Sequence, residues 1–379
     1  MTQIEMLQDN LRRAEKALNH PKIDPDLSGR VRPPLSIELQ EKEADLKQLR
    51  QEVEDSQPLD ICWDSFRTVR QGCEIIFREC LDFAQGALVR GAGLDDGLCR
   101  VADALLTYLG LRANITWNRF TMLAEGEFFA DLAQVVRLRF PDLSVWTLPI
   151  AAHEFGHFVG PEMREKGPGG RFRHPFEDML ETERMKGEKH WSYLHERFAD
   201  VFATYALGPS FACASTLLRF DPRTAHLEKD RHPSDAERVY LILKTLEKLG
   251  EGESGLGPSP YHSIAGRLRQ LWQDSLIAAK REPGLAEPAT IPLDDLLDTL
   301  YALLKRRMPD ARYRSLLQAQ MLAPQLEPDQ DTALNVGKDV TLPDALNAAW
   351  YCWLQHWGEN IYVLRRIEER ATALCIELA

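Results

Sequence analysis

His153 and His157 enclose Glu154, Phe155 and Gly156 in an H-E-x-x-H pentad. Residues four apart lie on one face of an α-helix, about 5–6 Å apart at Cβ. Two imidazole nitrogens about 2.0–2.1 Å from one ion suit that separation, so a helical pentad can hold zinc. Glu154, three residues before the second histidine, would sit beside the ion without binding it. From there it could serve as general base toward a water molecule.

That chemistry needs a helix around the pentad and a third ligand from elsewhere. Residues 149–159 read as helical, with Gly156 the one internal breaker and Gly160-Pro161 a stop signal. Pro149 either opens this helix or kinks one that begins near Asp142, and the residues leave both readings open. Gly156 costs roughly 1 kcal/mol relative to alanine inside a helix. The cost makes sense if another backbone passes close between the histidines.

A catalytic zinc usually keeps three protein ligands and one open position. The best third ligand is Glu196, at the start of a segment that reads as a helix from His195 to a Gly208-Pro209 stop. Phe198, Val201, Phe202, Tyr205 and Ala206 form its apolar pattern. Glu196 and Asp200 are one turn apart, so one carboxylate can bind metal while the other accepts the free N–H of a ligating imidazole. Two carboxylates on an apolar helix are costly to bury unless something positive lies between them. His195 points about 100° away from Glu196 on the same helix. The competing readings make Glu196 a solvated helix-start carboxylate and Asp200 a surface partner of Arg197.

H-E-x-x-H followed by E-x-x-A-D-x-F-A-x-x-x-L-G resembles the gluzincin metallopeptidases, and among them the soluble parts of the HtpX and CAAX-prenyl-protease group. A later H-P-x-x-x-x-R motif of that group has its counterpart in residues 232–238. The resemblance covers about residues 146–242, roughly a quarter of the chain. It implies that His153, His157 and Glu196 bind Zn2+, that Glu154 is the general base, and that Asp200 orients His153. It also implies that His232 and Arg238 line the substrate cleft, where they would bond the scissile carbonyl or the charge developing on it. Tyr205 is a further candidate donor to that charge. One departure is that the group carries membrane-spanning helices, whereas this chain has no apolar run of about 18 residues.

The rest of the chain suits a mainly α fold, α+β at most: a zincin-like core with a small edge β-element, flanked by helical regions. With 379 residues and a net charge of −12, the chain has room for two or three domains and does not suit nucleic-acid binding. Seven cysteines without a C-x-x-C, together with an N-terminus lacking an apolar signal region, point to free thiols and a cytoplasmic location. Residues 1–58 read as a helical hairpin, its turn holding Pro21, Pro25, Pro33 and Pro34. Leu39, Leu46 and Val53 repeat every seven residues there, which leaves oligomerisation through these helices open. Cys73 and Cys80 read as core positions rather than metal ligands. Residues 59–249 are the expected catalytic domain, and residues 250–379 a linker and C-terminal helices.

Three local expectations complete the reading. Residues 135–140 alternate weakly as an edge strand, which would hold an extended substrate by strand addition. Residues 161–190 form a polar insertion around Gly167-Pro168-Gly169-Gly170, either a lid or a disordered surface loop. A last helix from about Asp344 carries Trp350, Trp353, Trp357, Ile361 and Leu364 as a stripe that docks it on the core. The expected function is hydrolysis of peptide bonds in protein or peptide substrates. The alternatives are a regulatory zincin that binds one specific partner and cleaves at most that target, and a non-catalytic zinc scaffold.

Overall fold

A computed structural model describes residues 2–379 except 24, 56, 118–119, 125–127, 131–134, 140–141, 167–171, 252–258, 286, 315, 331–333 and 335. It is 74% helix and 4% strand, so the fold is mainly α. The chain divides into two compact units, Met1–Cys99 with Arg119–Pro141, and Arg100–Asn118 with Asp142–Ala379.

The first unit is built on α1 (Thr2–Leu18), α2 (Pro25–Glu54) and α3 (Leu59–Gly91). Ile4, Leu7, Leu11 and Leu18 bury one stripe of α1. On α2, Leu39 and Leu46 are buried and Val53 packs against the same core, so the heptad stripe serves packing within the chain. Cys73 and Cys80 are core residues of α3. The sequence division at residue 59 therefore separates helices that pack together. The expected proline turn is also corrected: α2 begins at Pro25 and runs through Pro33 and Pro34. Proline in a helix interior costs about 3 kcal/mol. However, Leu27, Val31, Leu35 and Leu39 bury a continuous i, i+4 stripe across the prolines, and that burial outweighs the local penalty.

A three-stranded sheet completes this unit, with β1 (Thr121–Ala124), β2 (Phe128–Ala130) and β3 (Val135–Arg139) in the order β1-β3-β2. β3 runs parallel to β1 and antiparallel to β2. The strand expected over 135–140 exists, but it is the central strand rather than an edge. Both its sides are already paired, so it cannot accept a substrate strand. Its Arg137 is fully buried and bonded to Glu79 and Asp82, each at 2.6 Å.

The second unit holds most of α4 (Leu98–Ala113) and every later helix. A 3-10 turn (Leu148–Ile150) containing Pro149 leads into α5 (Ala151–Glu162). A short hairpin of β4 (Glu165–Lys166) and β5 (Phe172–Arg173) precedes α6 (Pro175–Lys186) and α7 (Glu188–Leu207). The insertion after α5 thus contains a helix packed on α7 through Phe176 and Phe198, with ring centroids 4.2 Å apart. Residues 167–170, expected as the mobile tip, lie outside the described residues. α8 (Pro209–Ala214) runs into a π-helical turn, Ser215–Arg219. Then come α9 (Asp235–Gly250), α10 (Pro260–Ala278), α11 (Glu287–Arg307), α12 (Leu317–Leu322), α13 (Leu342–Gln355) and α14 (Ile361–Leu378).

The single C-terminal helix expected from Asp344 is two helices, broken before Asn360 around Gly358 at φ +89°. Trp350 is buried, and Trp353 stacks on Trp146, just before α5, at 5.6 Å. Trp357 and Ile361 are exposed, so the docking stripe stops at the break. Among the described residues, no helix is long and apolar enough to cross a membrane.

Candidate metal centre

α5 and α7 meet in backbone contact. A Cβ added at Gly156 would lie 2.9 Å from Ala199 Cα, closer than real Cβ atoms approach. The glycine is needed here for this close approach, as its helix cost suggested. His153 and His157 flank Gly156, and Glu196 and Asp200 flank Ala199, so one crossing brings both pairs together.

The pairs meet around a single point. His153 Nε2 lies 3.4 Å from Glu196 Oε2, and His157 Nε2 lies 3.4 Å from Glu196 Oε1. Donors about 2.0–2.1 Å from a tetrahedral ion stand about 3.3 Å apart, so these separations fit a shared ion. Glu196 Oε2 is buried and forms no hydrogen bond, with Arg238 Nη2 at ion-pair distance, 3.3 Å, and it offers a lone pair to such an ion. Among the described residues, His153, His157 and Glu196 form a group able to hold a metal ion.

Behind the donors stands a layer of positioning contacts. Asp200 Oδ1 is 2.9 Å from His153 Nδ1, which leaves the ring's lone pair on Nε2, where Arg238 Nη2 approaches to 3.4 Å. Burial works to raise the Asp200 pKa, but Arg238 and His153 outweigh it and lower it to about 2. Glu196 is held well below the usual carboxylate range in the same way: burial opposes, and Arg238 and the two histidines prevail. His157 Nδ1 is 2.7 Å from His195 Nδ1. Burial, and next the proximity of His157, lower the His195 pKa to about 3. Neutral His195 can therefore accept the Nδ1–H of His157, freeing Nε2 of His157 to face the donor point. This tautomer follows from the network.

Arg238 corrects an expectation. Its Nε and Nη2 donate to Asp200 at 2.7 and 2.8 Å, Nη2 is 3.3 Å from Glu196, and the residue is 3% exposed. It is the positive group between the two buried carboxylates rather than a lining of the cleft. Arg197, which the competing reading paired with Asp200, bonds Glu237 at 2.5 Å instead. The sequence motif over 232–238 is the start of α9: Ser234 Oγ accepts the Glu237 N–H at 3.3 Å, and Arg238 follows in the first turn. His232 precedes the cap. Its side chain is 43% exposed, with Nδ1 3.7 Å from Glu196, so it stands at the solvent side of the centre.

Glu154 is buried beside the donor group and outside it. Its Oε1 lies 3.4 Å from Arg219 Nη2. Arg219 ends the π-helical turn after α8, and sequence reasoning missed it. Its only local signal would have been a π-helical insertion, a feature that recurs at functional sites. Tyr205 is no candidate donor, because it is fully buried and its hydroxyl donates to Met308 O at 3.2 Å.

Comparison with known proteins finds no matching family, no matching curated protein and no matching solved structure. The gluzincin resemblance therefore stands on these residues alone.

Proposed function

We propose that the chain is a zinc-dependent metallopeptidase of gluzincin type, hydrolysing peptide bonds in protein or peptide substrates. The observation that carries this reading is one carboxylate, Glu196, bridging the two pentad Nε2 atoms at 3.4 Å each, with Glu154 alongside but not among the donors. Two imidazoles and one carboxylate, leaving a fourth position open, make the donor set of a catalytic zinc rather than of a closed structural site.

Zinc in such a set acidifies water and polarises a carbonyl oxygen. The chain's own residues do the remainder. Glu154 takes a proton from the attacking water and returns it to the leaving amine. Arg219, 3.4 Å away, fixes the direction of that carboxylate and adds positive charge where an oxyanion develops. Asp200 and His195 hold the two imidazoles in the tautomers that direct Nε2 to the centre, and Arg238 holds both carboxylates of α7 in place. His232 faces the open side, where it can donate to a substrate oxygen.

Metal analysis and turnover of an unfolded casein-type substrate, run on two variants, test the proposal. Glu196→Ala should lose the zinc of this site, and Glu154→Gln should keep it while losing at least about a hundredfold in turnover. A Glu154→Gln protein that still cleaves at the wild-type rate would remove the peptidase mechanism.

A further inference from the structure

A second group of donors gathers at the C-terminal end of α13. Cys352 and His356 are spaced i, i+4, as the pentad histidines are, and Glu327 reaches them from the end of the 3-10 turn Ala323–Leu326. The donor atoms of the three residues lie within 4.8 Å of one another. Cys352 is fully buried, with Sγ 3.7 Å from Glu327 Oε1. Glu327 and His356 are partly exposed, their side chains 32% and 19% accessible, so the group is open to solvent on one side.

We infer that Glu327, Cys352 and His356 form a second site, for a borderline divalent cation of the zinc class. Three observations support it. First, a tetrahedral ion with a thiolate at about 2.3 Å and a carboxylate oxygen at about 2.0–2.2 Å sets the two about 3.6 Å apart, near the observed Cys352–Glu327 separation. Second, His356 is oriented as a ligand is. Its Nδ1 is at ion-pair distance from Glu359, 3.0 Å, without a hydrogen bond, while Nε2 is hydrogen-bonded to Glu327 at 2.6 Å. The spacing resembles that at His153, whose Nδ1 is 2.9 Å from Asp200 and whose Nε2 is 3.4 Å from Glu196. The turn after α13 builds it, since the Glu359 N–H donates to His356 O at 3.1 Å. Third, the charges close. A thiolate, a carboxylate and a neutral imidazole balance a doubly charged ion, and the C-terminal carbonyls of α13 favour a cation there.

The mixed S, N and O set selects zinc-like ions over magnesium or calcium, which prefer oxygen alone. Binding replaces the Cys352 S–H bond with a sulfur–metal bond and the Nε2–H that His356 donates to Glu327 with a nitrogen–metal bond, and both protons leave to solvent. The Glu327–His356 contact lengthens by less than about 1 Å to admit the ion. The site shares no residue with the first and does not depend on the peptidase reading.

The test uses the full chain, with zinc and cobalt(II) as probes. Wild type should bind about two zinc ions per chain, Glu196→Ala about one, Cys352→Ser about one, and the double variant none. Cobalt-loaded Glu196→Ala should show a thiolate-to-cobalt charge-transfer band in the near ultraviolet, absent when Cys352 is also serine. Zinc should raise the melting temperature of Glu196→Ala and leave that of the double variant unchanged. His356→Gln gives an independent readout should the serine variant fold poorly, and it too should lose one ion. A Glu196→Ala protein that binds no zinc and gives no charge-transfer band would overturn the site, leaving Glu327 and His356 an ion pair only. That result would leave the Glu154→Gln turnover test of the first centre unaffected.

Discussion

Gly156→Ala is the sharpest perturbation of the α5–α7 crossing, because it replaces a hydrogen with a methyl group where the two backbones touch. The new Cβ would lie 2.9 Å from Ala199 Cα and 3.2 Å from Ala199 Cβ. Reaching ordinary contact requires the helices to part by about 0.6–0.8 Å, because neither neighbour is a flexible side-chain end. The same gap is spanned by both 3.4 Å histidine–Glu196 separations. Opening it takes them to about 4 Å, against the 3.3 Å of a tetrahedral ion. In the metal-free protein, overpacking costs about 1–3 kcal/mol and the better helix former returns about 1, so stability falls by up to about 2 kcal/mol. Zinc affinity should fall more, by at least about tenfold or 1.4 kcal/mol. Gly266→Ala is the control: this glycine is exposed within α10 and its Cβ would meet nothing within 4 Å, so the change should stabilise by about 1 kcal/mol. Melting temperatures with and without zinc, and a chelator-competition titration, read both effects. If Gly156→Ala behaves like Gly266→Ala and binds zinc as wild type does, the close crossing does not set the centre's geometry.

Two further outcomes follow from the charges behind the donors. Arg238→Met should destabilise the protein by about 3–5 kcal/mol, since it leaves Asp200 and Glu196 buried together without their cation. Urea denaturation measures this, and an unchanged midpoint would return Arg238 to the role of a substrate-lining residue. In the metal-free protein, His195 is neutral when folded down to about pH 3, whereas unfolded histidine takes up its proton near 6.5. The unfolded chain thus binds the extra proton between those values. Stability is intact above pH 6.5 and declines as pH falls toward 3, by up to about 1.4 kcal/mol per pH unit. His195→Asn should flatten that part of the profile, and parallel profiles for the two proteins would show that His195 is not the group responsible.

What the sequence made legible was whatever one helix dictates by itself. The spacing of His153 and His157 and the shared face of Glu196 and Asp200 are properties of 3.6 residues per turn, and all four residues converge as that geometry requires. Even the close approach of a second backbone could be read, from a glycine whose local cost had no local benefit. Contacts between elements could not. His195 was read only as pointing away from Glu196, and its bond to His157 depends on where α5 lies. Arg197 was the expected alternative partner of Asp200 and Arg238 a cleft residue, but α9 docks on α7 so that Arg238 bonds Asp200 and Arg197 bonds Glu237. Arg219 arrives from a π-helical turn that no periodicity announces. In α2, the prolines signalled a turn, and a buried stripe running through them overruled that signal.

The same distinction explains why the second motif changed its meaning. Three carboxylates, Glu154, Glu196 and Asp200, are buried around one helix crossing, where charge without a partner is costly. Arg238 between Glu196 and Asp200, and Arg219 beside Glu154, supply two positive charges against three negative, leaving the metal-free centre one charge short of neutral. A bound divalent ion would move that balance to a single positive charge, the sign that favours an anionic oxygen in a transition state. Were Arg238 instead free to swing to substrate, Asp200 would lose both of its short hydrogen bonds in a fully buried position, and His153 would lose the carboxylate that sets its tautomer. An arginine at this position is therefore most useful when it stays still. Of His232 and Arg238, it is His232 whose side chain is partly exposed, in front of the helix cap and with Nδ1 3.7 Å from Glu196.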